Sequence, residues 1–223
     1  MDTSSSSVRL PCLALEQHGD GSNKPALFSI SEKKAIAGNI PGLTNTNAWP
    51  TPQGWILVRD TASATTFLQN PHDSDDKIQL PHLPQDLPSR CSCLLSGKPA
   101  ALTGGCVVLL VHPFATAIWY CRIGDDEEWA KHDYDIGIQA QDKEKVPICP
   151  IAACDGRFYF NADALGNIGV LEFAPTPAFA SVEVAVDGEF DYVDSAQVFL
   201  VESEGELYMV SMVYEYGGGG VTD

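Results

Sequence analysis

The sequence lacks two features that are typical of membrane proteins and of helical proteins. No run of about eighteen or more apolar residues occurs among its 223 residues, so no segment is suited to cross a bilayer as a helix. No segment keeps a long 3.6-residue apolar period, and the 15 prolines and 19 glycines would interrupt most candidate helices. These absences favour a β-rich protein that is not inserted in a membrane.

Basic residues are scarce, and none follows Arg157. Residues 1–100 hold eight bases and nine acids, a net charge of −1, whereas residues 101–223 hold five bases and twenty-one acids, a net charge of −16. This balance argues against binding to nucleic acid or to an anionic membrane surface, because both need bases that face phosphates. The acids have three readings: solubility, a basic partner protein, or a match to something basic outside this chain.

An export signal is also missing, since an acid occupies position 2 and no basic stretch precedes an apolar core. The seven cysteines are an odd number without a CxxC pair, and no N-x-Ser/Thr acceptor occurs. Cys91 and Cys93 are spaced to share one face of a strand. We therefore expect buried free thiols, no metal, no cofactor, and a cytoplasmic or nuclear location.

Glycines that precede apolar runs recur with a fixed spacing. Gly54, Gly105, Gly156 and Gly205 are 51, 51 and 49 residues apart, and each is followed by a run such as "RFYF" at 157–160. A period near fifty residues is the length of a kelch-type propeller blade. Three further strand-like runs keep the same phase, so each repeat predicts one four-stranded antiparallel sheet.

The fold class predicted from this repeat is all-β, a partial or small β-propeller of about four blade equivalents. The alternative is a β-sandwich, whose strands also recur every eight to twelve residues but without a fifty-residue repeat. We predict a disordered lead, a propeller domain and a flexible tail, at residues 1–9, 10–216 and 217–223.

Within this domain the N-terminal portion is an incomplete repeat, and the last segment supplies two strands. Between them lie three fuller repeats, at 46–90, 91–146 and 147–195. Two arrangements remain open: the C-terminal strands complete the N-terminal partial blade and close a small ring, or the chain is part of a longer propeller.

Several longer motifs occur in a fixed order along the chain: "WPTPQGWILVRD" (49–60), "IWYCRIGDDEEWAKHDYDIG" (118–137), "IAACDGRFYF" (151–160) and "VFLVESEGELYMVS" (198–211). Asn70-Pro71 is followed by Leu80-Pro81, and physically Asn-Pro ends a strand in a turn. Together these motifs resemble those of the plant KIB-type β-propeller family, the F-box-associated domains of unknown function, and the Asn-Pro and Leu-Pro pairs match the "NP…LP" signature of F-box-associated propellers. The resemblance covers roughly residues 10–214.

This resemblance implies a substrate-receptor ancestry. Family members commonly begin with an F-box that binds the Skp adaptor of a ubiquitin ligase, and they usually continue past the "GELYMVS" strand. Only about nine residues precede the first predicted strand here. We therefore expect no F-box and no Skp adaptor among the partners, and we expect the propeller to be short at its C-terminus.

Catalytic motifs are absent, and the five histidines are scattered. Ser31-Glu32-Lys33-Lys34 fits S-x-x-K without the partner motifs of a β-lactamase. The acid runs 73–76 and 187–194 lack the spacing of a calcium loop and are expected to be solvated turns. Trp55 and Trp119 are expected to pack between blades. Trp49, between "NA" and "PTP", is expected on a loop and is the one candidate for a binding contact.

The function predicted from these features is a non-enzymatic protein-interaction module, with a protein partner that could be basic. Propellers bind partners through the loops at one end of the ring. Two alternatives remain: a hydrolase-type propeller enzyme with an unrecognised site, and a truncated gene product without autonomous function.

Overall fold

The computed structural model describes residues 12–17, 24–29, 33–36, 46–88, 90–99, 105–138, 144–163, 166–185 and 195–214. Within these ranges every regular element is a β-strand, which confirms the predicted all-β class. No helix with the length and apolar character of a membrane span is found in them. The predicted lead at 1–9 and tail at 217–223 lie outside the described residues, as does the acid run 187–194.

The strands form five separate antiparallel sheets in chain order, which we call blades 1 to 5. Blade 1 comprises β1 (Cys12–Gln17), β2 (Lys24–Ser29) and β3 (Lys34–Ile36). Blade 2 comprises β4 (Thr46–Pro50), β5 (Ile56–Asp60), β6 (Thr66–Asn70) and β7 (Asp73–Leu80). Blade 3 comprises β8 (Ser92–Leu95), β9 (Val107–Val111), β10 (Ala117–Arg122) and β11 (Ala130–Asp133). Blade 4 comprises β12 (Ile151–Cys154), β13 (Arg157–Phe160), β14 (Asn167–Phe173) and β15 (Pro177–Glu183). Blade 5 comprises β16 (Ser195–Ser203) and β17 (Glu206–Tyr214).

Blades 2, 3 and 4 each contain four strands that pair in chain order, and they fall within the three predicted repeats. The alternative of two face-packed sheets is wrong, because a sandwich would not divide into consecutive four-stranded sheets. In the described residues β17 pairs only with β16, and β1 pairs only with β2. The partial sheets at the two ends of the chain therefore stay separate there and do not combine into one blade.

The repeated glycines have a common structural cause. Gly54, Gly105, Gly156 and Gly205 all lie between the first and second strands of a blade, with φ between 77° and 88°. This left-handed conformation costs a residue with a Cβ roughly 1–2 kcal/mol, so glycine is favoured. In blades 4 and 5 the turn is the dipeptide acid-glycine with positive φ at both residues, the geometry that joins twisted strands most tightly.

Blade 3 is buried on both faces because side chains alternate along its strands. On β9, Val108 and Leu110 point toward blade 2, and Val107, Leu109 and Val111 point toward blade 4. All five of these side chains are buried. The cluster between blades 2 and 3 also contains Leu57, Leu68, Cys93, Leu95, Trp119, Cys121 and Trp129. The cluster between blades 3 and 4 also contains Leu94, Ile118, Tyr120, Ala153, Phe158, Phe160 and Leu171.

Polar contacts fix the position of each blade against the next. The backbone N–H of Leu95 donates to Gln53 Oε1 at 3.0 Å, which joins blades 2 and 3 near their first strands. The backbone N–H of Gly156 donates to the Ser96 carbonyl at 3.1 Å, which joins blades 3 and 4 in the same way. Near the fourth strands of blades 2 and 3, Trp129 Nε1 donates to the carbonyl of Pro81 at 2.9 Å. The Leu80-Pro81 motif therefore accepts a hydrogen bond from the neighbouring blade.

The Asn70-Pro71 motif behaves as predicted, because Asn70 is the last residue of β6 and a turn follows. Its Oδ1 accepts the backbone N–H of His72 at 3.0 Å, and its Nδ2 donates to Asp76 at 3.0 Å. The expectation of a solvated turn at 73–76 is wrong, since β7 already begins at Asp73. The early start follows from the irregular pairing of β6 with β7, whose register shifts at Gln69 and Asn70.

Candidate functional site

A cavity of about 430 Å³ lies along the first strands of blades 2, 3 and 4. These strands contact one another from blade to blade, so residues that are far apart in the sequence converge there. The walls are mostly apolar, with one hydroxyl and three thiols. The lining residues are Trp49, Pro50, Pro52, Cys91, Ser92, Cys93, Leu94, Cys149, Pro150 and Ile151.

Trp49 does not lie on a loop, so that part of the prediction is wrong. It occupies β4 opposite Leu57, and its side chain is buried at 9% exposure within the cluster between blades 2 and 3. The flanking prolines were misleading, because β4 is an edge strand, where proline is tolerated. Trp49 nevertheless borders the cavity, and its role as a contact residue remains a prediction.

Trp55 and Trp119, which were expected to pack between blades, both contact the hydrophobic core. Trp119 lies in β10, is 4% exposed and packs between blades 2 and 3, as predicted. Trp55 immediately precedes β5, is partly buried and packs against the same cluster. Neither residue lines the cavity.

The thiols in the cavity wall are weak acids because of their surroundings. Burial, together with the neighbouring Cys149 thiol, raises the pKa of Cys91 to about 11. Burial also raises the pKa of Cys93 and the pKa of Cys149. All six cysteines whose side chains are described are free thiols. Because the thiolate is the reactive form, these cavity thiols are poorly suited to nucleophilic catalysis at neutral pH.

The cavity wall also lacks other catalytic groups. Among the described residues that line it, none carries a carboxylate, imidazole, amine or guanidinium that could act as a general acid or base beside the thiols. Across the described ranges no group of three or more His, Cys, Asp and Glu side chains is arranged to hold a metal ion. Physically, the mostly apolar wall is suited to hold an apolar group.

We predict that Cys91 and Cys149 react slowly with iodoacetamide in the folded protein at pH 7.4. Their labelling rate should rise steadily up to about pH 11, because burial keeps the thiol of Cys91 protonated beyond its ordinary pKa of 9.0. Stability should fall between about pH 9 and about pH 11, since over that interval the unfolded chain has released this proton and the folded chain still holds it. Mass spectrometry of labelled peptides measures the labelling rate in the folded protein and in the urea-unfolded control. Equal labelling rates at pH 7.4 would contradict the prediction.

A second candidate lies on the acidic turn between β10 and β11, beside an open cavity of about 370 Å³ lined by Tyr120, Arg122, Ala130 and residues 125–128. Contacts within the turn stabilise it, since Asp126 accepts the backbone N–H of Arg122 at 2.7 Å and pairs with the Arg122 guanidinium at 3.2 Å. Asp125, Glu127 and Glu128 are exposed. In the described part of the chain these three acids form no ion pair, so their charge faces solvent.

Two exposed apolar residues outside the strands were not anticipated from the sequence. Phe114, in the turn between β9 and β10, is 78% exposed, and Ile138, after β11, is 63% exposed. The signal for Phe114 was a large apolar residue within the turn sequence "HPFAT" at 112–116. Single exposed apolar residues are common, so neither defines a site by itself.

The sequence of this chain matches a known family of propeller domains. The family model described as the KIB1-4 beta-propeller matches residues 27–220, which is most of the chain. The chain belongs to the KIB1-4 β-propeller family. This match and the consecutive four-stranded sheets confirm both the suspected family and the propeller class. A search of curated proteins finds no match to this KIB1-4 propeller.

Proposed function

We propose that this KIB1-4 propeller is a non-enzymatic protein-interaction module that holds an apolar segment of a partner protein in the cavity along its first strands. The observation that carries the proposal is the composition of the cavity wall. It combines Trp49, three prolines, Leu94 and Ile151 with thiols of raised pKa, and its described lining residues include no acid–base pair.

The size of the cavity supports this use. About 430 Å³ lies in the lower part of the range of small-molecule pockets, and it suits one or two apolar side chains. Ser92 is an exposed hydroxyl in this wall, where it could bond to the backbone of an entering segment. A rigid wall made of strands and prolines loses little conformational entropy on binding.

The charge of the chain supports a partner with basic residues. The net charge is −17, and Asp125, Glu127 and Glu128 add exposed negative charge on the blade 3 turn. Complementary charge accelerates the encounter of two proteins and selects against acidic competitors. Association should therefore weaken as the salt concentration rises.

Selection of peptides from a displayed random library tests the proposal. We expect the selected peptides to share an apolar residue near Lys or Arg, and we expect Ser92→Trp to abolish their binding by filling the cavity. Ser181→Trp is the matched control, since it places the same bulk at an exposed strand serine outside the cavity. Peptides that bind Ser92→Trp as tightly as the wild type, measured by fluorescence anisotropy, would refute the use of this cavity.

A further inference from the structure

In the described part of the chain blade 5 has two strands, whereas each of blades 2, 3 and 4 has four. In those complete blades the second strand pairs with a neighbour on both sides. In the described residues, β17 pairs with β16 alone. Among these residues no strand covers the outer edge of β17, which presents backbone N–H and C=O groups along nine residues, the arrangement that recruits another strand.

The sequence of β17 carries none of the usual protection against such pairing. Its residues, "ELYMVSMVY", include no Lys, Arg, Pro or Gly, and the only charge is at its start. One face of blade 5 is also uncovered, because Val201, Tyr208, Val210 and Met212 are each 45–47% exposed. A long apolar edge strand beside an uncovered apolar face indicates an interaction surface.

The same strand is nearly symmetric about its own centre. Reading outward from Ser211, the residues at equal distances are Val210 and Met212, then Met209 and Val213, then Tyr208 and Tyr214. Two antiparallel copies centred on Ser211 would therefore place similar residues opposite one another. A two-fold axis requires this kind of self-complementary contact.

The charges select the antiparallel orientation. Glu202, Glu204 and Glu206 cluster at the turn between β16 and β17. In the antiparallel pair the two copies of Glu206 are ten residue steps apart, about 34 Å, which exceeds the screening length of about 8–10 Å. A parallel pair would place both acidic turns side by side.

From these observations we propose that β17 is a homodimerisation edge, and that its partner is β17 of a second copy of this chain. The pair forms a four-stranded antiparallel sheet in the order β16, β17, partner β17, partner β16. Two half-blades thereby give a sheet with the strand number of the complete blades. The two exposed apolar faces become continuous across the two-fold axis.

Sedimentation velocity of the full chain over a concentration series tests this proposal. We expect a concentration-dependent species with twice the 24.0 kDa of one chain. Val210→Glu should weaken the dimer at least about tenfold, because the two new carboxylates lie on diagonal positions about 7–8 Å apart across the axis. Val201→Glu is the matched control: the exposure, face and added charge are the same, but the residue lies on β16, one strand further from the axis on each side.

The outcomes separate this contact from other forms of association. A wild-type chain that stays monomeric at 100-fold dilution and at the highest soluble concentration overturns the proposal, as does a dimer that Val210→Glu leaves intact. A dimer weakened equally by both variants indicates stacking of the exposed faces and also overturns it. Circular dichroism confirms that each variant is folded. Hydrogen exchange should show residues 206–214 becoming more protected as the wild-type concentration rises.

Discussion

Phe158→Ala is expected to lower the free energy of unfolding by about 3–5 kcal/mol. Phe158 is fully buried on β13, within the cluster between blades 3 and 4. Its ring meets the ring of Phe173 edge to face, with centroids 5.9 Å apart. Truncation would remove this apolar area from the core and leave a cavity enclosed by two sheets that cannot easily collapse. Urea denaturation monitored by circular dichroism measures the change.

Phe114→Ala provides the control for this measurement, since it removes the same side chain from a position that is 78% exposed. Its effect should stay within about 0.5 kcal/mol. A similar loss at both positions would contradict the assignment of Phe158 to the core. The experiment also bears on the hypothesis of a truncated product without autonomous function, because a chain that does not fold alone would show no cooperative transition.

Gly169→Ala is expected to lower the free energy of unfolding by about 1–3 kcal/mol, although it adds only one methyl group. Gly169 lies on β14 directly opposite Phe160 of β13, and a Cβ built at this position would overlap the Phe160 ring. That ring is only 3% exposed and meets the ring of Phe179 at 6.1 Å, so it has little room to move. Thermal and urea denaturation both report the loss.

Gly97→Ala is the matched control, because a Cβ there meets no atom within 4 Å and the residue is exposed. A double-mutant cycle adds a sharper test. In a Phe160→Ala background, Gly169→Ala should cost much less, since the ring that the new methyl group would meet is gone. If the cost is the same with and without the ring, the overlap with Phe160 is not its cause.

The repeat architecture could be predicted from the sequence because its signals are local. Each glycine at the turn between the first and second strands must adopt a positive φ, and this requirement recurs at Gly54, Gly105, Gly156 and Gly205. The order of sheets follows, since consecutive short strands with tight turns pair with their neighbours. The start of β7 at Asp73 was missed because exposed acids are unusual in strands, and here the register shift after Gln69 lengthens β7.

The cavity could be predicted only in fragments. Cys91 and Cys93 are spaced to share a strand face; Cys93 lies in β8, Cys91 immediately precedes this strand, and both line the cavity. Their convergence with Trp49 and Cys149 depends on how the first strands of three blades are offset against one another. That offset is set by contacts between blades, such as the bond from Leu95 to Gln53, and one sequence does not reveal them. Which side chains come together in the cavity therefore depends on the tertiary structure.

The unequal burial of the blades has a consequence for how the molecule opens. Blade 3 is packed on both sides, whereas no described side chain of blade 5 is fully buried. In arrays where each unit touches only its neighbours, the units with the fewest contacts open first. Transient unravelling should thus reach the C-terminal pair of strands before it reaches blade 3. A ligand that binds only this pair of strands would slow its local opening. The rate of global unfolding, which depends on blade 3, would stay the same.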